Sequence, residues 1–397
     1  MIISFLGNLI IINYLSKSNY GQWIYILTIF FLIAAPFGSA FTASFTKIVA
    51  RNEHAVKHDF ISINMQLVLL YIILITVIYF IFKLIFSDLI NLPNSLVAFF
   101  VLASVTLHGW NQIYSGILKG HRKVIKAQLY ELAIRPVVFF SFVILFIFYD
   151  FLQHSILSLV WTIACLAGLI FHIWYCQISF SVVSRERFYN WWFSLKERLF
   201  EIIAFSKVSI LTVINNQSIF LILGAIGFSE SVADIKVIFT LSMFVSFPLL
   251  IINSIVGPEI AAADGFREIK GFFWEKRKYL IALAGAGILY GTILIVFGDI
   301  IVGFLYGQAY ENAYGMLKFA VFGHVIFLLT GPVGSIMLMR GFEQSLGRIF
   351  ILSIFCQLIL IYALVMLESF HLIFLIACLG IFLPNCFSWI FLLIKIK

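Results

Sequence analysis

Charge is scarce in this sequence: Asp, Glu, Lys and Arg together make up 11% of its 397 residues, against 63% hydrophobic. That balance excludes an ordinary soluble domain. Cysteine chemistry has little to stand on, because the five cysteines (165, 176, 356, 378 and 386) sit in apolar runs without CxxC or Cys/His spacing. They read as small core or lipid-facing residues rather than as a disulfide framework or zinc site. No P-loop, DxD pair, HExxH or GxSxG is present, so ATP hydrolysis and covalent catalysis have no residues to rest on. The N-terminal "MIISFLGNLIIINY" lacks a basic n-region and a small-residue cleavage site. It is read as a retained first span rather than a removed leader.

What is present is oil-soluble helix. Mean hydropathy is +1.09, and a hydrocarbon layer of roughly 30 Å needs about 20 apolar residues per helix, which leaves room for about a dozen spans. The apolar runs predict spans at 1–14, 21–46, 60–86, 96–118, 127–149, 155–180, 206–227, 236–258, 279–304, 314–339, 348–366 and 371–394. All are expected to be helical, because unpaired backbone is not tolerated in lipid.

The 26 basic residues are unevenly placed. All but Lys17, Lys83, Lys236, Arg135 and Lys318 fall in the breaks after even-numbered spans or at the C-terminus. The positive-inside rule therefore expects a multi-pass membrane protein with both termini in the cytoplasm. Positive charge spread over short loops also argues against a nucleic-acid partner, despite the net charge of +8. One cytoplasmic break, "SRERFYNWWFSLKERLFEIIAFSK" (184 to 207), places Phe188, Trp191, Trp192, Leu195, Leu199, Ile202 and Ile203 on one side and basic residues opposite. It is expected to lie along the inner interface as an amphipathic connector.

Two halves of six spans invite self-comparison. Residues 12–50 run beside 224–262, each a helix end, a short polar loop and a long helix with Pro36 or Pro248. "SGILKGHRKVIKAQL" (115 to 129) likewise runs beside "SIMLMRGFEQSLGRI" (335 to 349). Six is even, so the halves share one orientation and are related by an axis along the membrane normal, as in transporters that rock about a central site. The expected fold is an all-α integral membrane protein of about twelve helices in two pseudo-symmetric six-helix lobes with a central cavity. The lobes are 1–183 and 206–397, joined by the connector at 184–205. Span 7 begins near residue 206, which maps before residue 1, so the first helix is expected to be short by about two turns.

The segments "LSKSNYGQWIYIL", "INNQSIFLILGAIGFSESVADIKVIFTLS", "GPEIAA" at 257 to 262 and "IIVGFLYGQAYENAYGMLKF" at 300 to 319 resemble the Wzx-type polysaccharide flippases of the multidrug/oligosaccharidyl-lipid/polysaccharide exporter superfamily. The sequence departs from that pattern at Ser218, where family members often carry an acid, and at Ala233-Asp234-Ile235, where a Gly-x-Tyr is usual. The resemblance implies alternating-access export of undecaprenyl-pyrophosphate-linked oligosaccharide repeat units for O-antigen, lipopolysaccharide or capsule synthesis. It implies no catalytic residue and no cofactor beyond proton or sodium coupling. The implied partners are the polyprenyl-linked oligosaccharide, membrane lipids and other polysaccharide assembly proteins.

Such cargo needs replacement for lost water, since an unpaired charge in the bilayer costs several kcal/mol or more. Gln128, Glu131 and Arg135 share one stripe of span 5 near mid-membrane. Arg135 is the candidate pyrophosphate holder, with Glu131 as its resting partner or a proton site. The competing reading is a self-neutralised Glu131/Arg135 pair that only joins helices. Softer polar stripes hold Ser104, His108, Asn111 and Ser115; Ser39, Thr42 and Thr46; Ser209, Thr212 and Asn216; and Ser242, Ser246, Asn253 and Gly257. Asn216 and Asn253 rank first, because amides both donate and accept. Helix contact through small polar residues explains each stripe equally well.

His108, His172 and His324 are candidate proton binders or packing residues. Lys47 and Arg51 sit at the cytoplasmic mouth, where capture of an anionic head group competes with simple orientation. Two other functions remain open. A cation-coupled multidrug exporter of the same superfamily would favour acids in its cavity, and a membrane-embedded glycan polymerase or glycosyltransferase would carry a long outer loop.

Overall fold

The computed structural model describes residues 2–51, 94–176, 185–263, 265–366 and 373–396, with scattered positions between 65 and 79. Among these residues the chain is helical throughout, without a strand. Unit 1 comprises Met1–Ile210 with Ala225–Gly227, and unit 2 comprises Leu211–Gly224 with Phe228–Lys397. In unit 1 the order is α1 (Ile2–Tyr14), α2 (Lys17–Ala34), α3 (Ser39–Arg51), α4 (Ser95–Gly120), α5 (Val124–Phe148) and α6 (His154–Cys176). Then follow α7 (Arg185–Ala225), α8 (Ser229–Ala262), α9 (Phe266–Tyr306), α10 (Tyr314–Thr330), α11 (Val333–Met339), α12 (Glu343–Met366) and α13 (Ile373–Ile396).

Seven of the described helices are long and apolar enough to cross a membrane, and α10 with α11 makes an eighth when that bent pair counts as one span. The chain is therefore a multi-pass membrane protein. The expected span at 60–86 lies largely outside the described residues.

Two spans differ from their expected outlines. The run 21–46 is two helices, because Pro36 cannot donate a backbone bond and Gly38 follows it in the turn. The freed Pro36 carbonyl accepts from Ser206 Oγ at 2.9 Å. Its counterpart Pro248 is absorbed within α8, with Leu249 and Leu250 rather than glycine behind it. The run 314–339 bends by 46°, where Gly331 adopts φ +70° and Pro332 starts α11.

The amphipathic connector is not a separate helix. Its backbone from Arg185 continues without a break into span 7 as the 41-residue α7, because no glycine or proline interrupts 185–207. The side chains at 185–202 lie outside the described residues.

Close approach fixes unit 1. A Cβ on Gly116 of α4 would stand 2.7 Å from Phe45 Cβ and 2.8 Å from Thr42 O of α3, and one on Gly120 would stand 2.4 Å from Val49 Cβ. Small residues four apart let backbones meet where lipid supplies no hydrophobic drive. Phe37, Phe41, Phe45, Ile113, Tyr114 and Leu169 fill the space beside this seam. Likewise Gly168 of α6 receives the Tyr130 ring of α5, 2.0 Å from where a Cβ would sit.

Candidate functional site

The polar centre of unit 1 is built on Gln112 of α4, which lies one helical turn beyond His108. Its Nε2 donates to Glu131 Oε1 of α5 at 2.6 Å and lies 3.2 Å from His108 Nε2. Its Oε1 accepts from Thr42 Oγ1 of α3, whose hydroxyl also lies 3.2 Å from the Gln112 carbonyl. One amide thus ties α3 and α4 to the carboxylate of α5. His108 is buried, meets Phe30 edge-on at 5.6 Å, and its Nδ1 has no partner among the described residues. The groups that act electrostatically on Glu131 are Lys119, Arg135 and His108.

A local departure from α-helix places the acid. Residues Tyr130–Ile134 form a π turn, in which Arg135 N–H bonds back to Tyr130 O. Pro136 follows, and its ring would clash with the carbonyl four residues earlier in a regular helix, so the wider turn relieves the conflict. Glu131 and Arg135 then find different partners. Among the described residues no ion pair within 4.0 Å joins them. The Arg135 guanidinium instead lies 4.9 Å from the Trp161 ring centre and 5.5 Å from that of Tyr130. The expected resting pair is replaced by an amide-held acid and an aromatic-held base.

Trp161 also walls a narrow crevice of ≈ 10 Å³, room for about one water, bordered by Trp23, Leu27, Phe30, Ser104 and Ser158. The Trp161 Nε1–H has no acceptor among the described residues. Gln128 is half-buried and joins none of these bonds, because the π turn separates its register from that of Arg135.

Asn111 is structural in geometry: its Nδ2 donates to Leu107 O and Cys165 O, each at 2.9 Å, and its Oδ1 meets His172 Nδ1 at 2.8 Å. Ser115 Oγ donates to Ala127 O at 3.3 Å. Lys47 is buried at the end of α3, with Nζ 5.2 Å from the Phe205 ring centre. Arg51 ends α3, and its side chain lies outside the described residues.

Unit 2 holds a second polar cluster, one residue away from where the sequence pointed. Asn216 is exposed, while Asn215 is buried and its Oδ1 accepts from Ser353 Oγ at 2.8 Å and Gln357 Nε2 at 2.7 Å. Asn215 Nδ2 donates to Gly380 O at 2.6 Å. One residue is about 100° of helix rotation, which turns Asn216 outward, while its Oδ1 still accepts from Asn215 Nδ2 at 3.1 Å. Asn253 Oδ1 accepts from Ser335 Oγ at 3.1 Å, and His324 Nδ1 lies 2.9 Å from Ser246 Oγ. In the turn Gln308–Ala313, burial, aided by the Asp234 and Glu230 carboxylates, pushes the Tyr310 phenol up from its ordinary value.

Replacing Asn215 with alanine strands Ser353, Gln357 and the Gly380 carbonyl. We expect a loss of about 2 kcal/mol, read as a lower melting temperature of the purified protein, with Asn216→Ala near neutral.

No protein-family model and no curated protein matches the sequence. Solved structures do. An inward-facing multidrug resistance MATE family transporter of the MOP superfamily matches with TM-score 0.70 at 13% identity, covering 99% of this chain and 94% of that one. The fold is that of the MATE transporters. An outward-facing MATE structure matches with TM-score 0.68 at 12% identity over 99% and 92%. A MOP superfamily transporter from Pyrococcus furiosus Vc1, whose reverse binding-pocket polarity suggests a different function, matches with TM-score 0.71 at 14% identity over 99% and 91%. The proteins sharing the MATE fold here are transporters rather than enzymes. The Gln112 and Asn215 clusters were not singled out in the sequence, although Gln112 stands at the i+4 position from His108, a spacing that marks one helix face.

Proposed function

We propose that this chain is a multi-pass exporter of the MATE architecture that moves amphipathic solutes outward by alternating access, driven by cation entry. The observation that carries the reading is the match along 99% of the chain to MATE structures of both inward-facing and outward-facing form. Glu131 supplies the chemistry: it is a carboxylate within a span, held by one neutral amide, where a proton or sodium ion can be exchanged. Thr42, His108 and Gln112 position it. The basic loops support a topology with both termini in the cytoplasm.

A second reading rests on Arg135. A half-buried guanidinium on two aromatic faces, without a carboxylate within 4.0 Å among the described residues, suits a pyrophosphate. It supports a flippase of polyprenyl-pyrophosphate-linked oligosaccharides, working with polysaccharide assembly proteins in the bacterial inner membrane. The pocket of reversed polarity in the Pyrococcus furiosus transporter lends the same reading support.

Deletion in the native host separates the two. The exporter reading expects raised sensitivity to amphipathic drugs with surface glycan intact, and the flippase reading expects lipid-linked repeat units stranded on the cytoplasmic face. Arg135→Gln sharpens the comparison: it lowers glycan export by about tenfold or more under the second reading, since charge-assisted bonds contribute about 1.5–3 kcal/mol, and under the first it shifts the pH dependence of drug export through Glu131 without abolishing it.

A further inference from the structure

α9 is too long for the membrane alone. Its 41 residues extend about 60 Å, twice the hydrocarbon thickness. The apolar run begins at Leu280, so residues 266–279, which include "GFFWEKRKY", extend past it into the headgroup layer and beyond.

Charges on this segment are sorted by face, with Lys276 alone among the bases from 270 on lying on the acidic side. At about 100° per residue, Lys270, Trp274, Arg277 and Ile281 fall in a stripe about 60° wide, with Lys278 beside it. Glu268 and Glu275 fall on the far side by the same count, and Glu275 is held by Lys276 Nζ at 2.5 Å. The basic stripe is exposed, with Trp274 at 67% and Ile281 at 69%, and Lys270, Arg277 and Lys278 open as well. Arg277 Cζ lies 4.0 Å from the centre of the indole, and Nη1 donates to Trp274 O at 3.2 Å. That contact holds the guanidinium beside an exposed indole, with further N–H donors beyond the one used by Trp274 O.

The same stripe continues upward as Ile281, Ile288 and Ile295, all exposed. An acyl chain laid along those three residues brings its headgroup to Arg277 and Lys278, within about 5 Å of the apolar edge. Lys270 lies roughly 10 Å further along the helix, about one screening length away. We propose that this face of α9 is a binding site for an anionic phospholipid of the cytoplasmic leaflet, with the phosphate on Arg277 and Lys278 beside Trp274, the glycerol region between these and Ile281, and an acyl chain on the isoleucine stripe. The site stands apart from the cargo and does not depend on what is exported. Orientation by positive charge accounts for basic residues near Leu280, but it does not require acids on the opposite face or an arginine laid on an exposed tryptophan.

The test uses the full chain reconstituted in phosphatidylcholine vesicles containing brominated phosphatidylglycerol or brominated phosphatidylcholine. The fluorescence lost on Trp274→Phe defines the Trp274 signal. Trp274 is expected to quench at about fivefold lower mole fraction of the anionic lipid. Arg277→Gln with Lys278→Gln erases the preference, while Arg277→Lys with Lys278→Arg, and Glu268→Gln with Glu275→Gln, keep it. Equal quenching by the two lipids in the unmodified chain, or a preference that survives the double glutamine variant, overturns the proposal. All of these side chains point away from the core, so each variant is expected to elute and melt as the parent does.

Discussion

Glu131→Gln reduces export by roughly tenfold or more while the protein remains folded. The amide keeps the shape of the acid and still accepts from Gln112, so the contact at 2.6 Å survives in neutral form. What disappears is the charge, together with any exchange of a cation at that oxygen. A hydrogen bond to a charged group contributes about 1.5–3 kcal/mol, which by itself corresponds to a factor of about ten or more. Dye efflux from cells expressing matched amounts of the two proteins reads the effect. Gln112→Leu should act in the same direction with loss of stability as well, since it takes the amide donor from Glu131 and leaves Thr42 only the residue-112 carbonyl. Efflux by Glu131→Gln at the parental rate removes the acid from the mechanism.

Gly116→Leu abolishes accumulation of folded protein. A Cβ at that position falls 2.8 Å from the backbone oxygen of Thr42 and 2.7 Å from Phe45 Cβ, and neither atom is the far end of a flexible side chain. Overpacking costs about 1–3 kcal/mol where neighbours can yield, and here α3 and α4 must separate. Separation also breaks the bonds from Thr46 Oγ1 to Gly116 O and from Thr42 to Gln112, so the polar centre is lost with the seam. Gly257→Leu, where a Cβ meets nothing within 4 Å among the described residues, is the matched control and should accumulate normally. Size-exclusion chromatography in detergent reads both variants.

The helical class and most span positions were legible in the sequence, because an apolar run of about 20 residues admits one solution in lipid. The break at Pro36 was not legible: Pro248 occupies the matching place in the repeat, yet only Pro36 is followed by glycine in a turn. Glu131 and Arg135 stood out as ions in oil, but pairing them assumed a regular helix. The π turn before Pro136 leaves no periodicity signal, and it is what sends the acid to Gln112 and the base to Trp161. Asn215 was passed over beside Asn216 because the two amides are adjacent, and composition cannot tell which one turns inward to tie helices and which stays exposed. Gln112 was missed because a glutamine is unremarkable until the acid from another helix is beside it.

Gradient-driven uptake by the purified chain tests the central reading most directly. Reconstituted in liposomes carrying an imposed proton or sodium gradient, it is predicted to accumulate an amphipathic fluorescent cation against its concentration, and to stop when an ionophore collapses the gradient. Accumulation that is absent under both gradients, or that is indifferent to the ionophore, contradicts a cation-driven exporter.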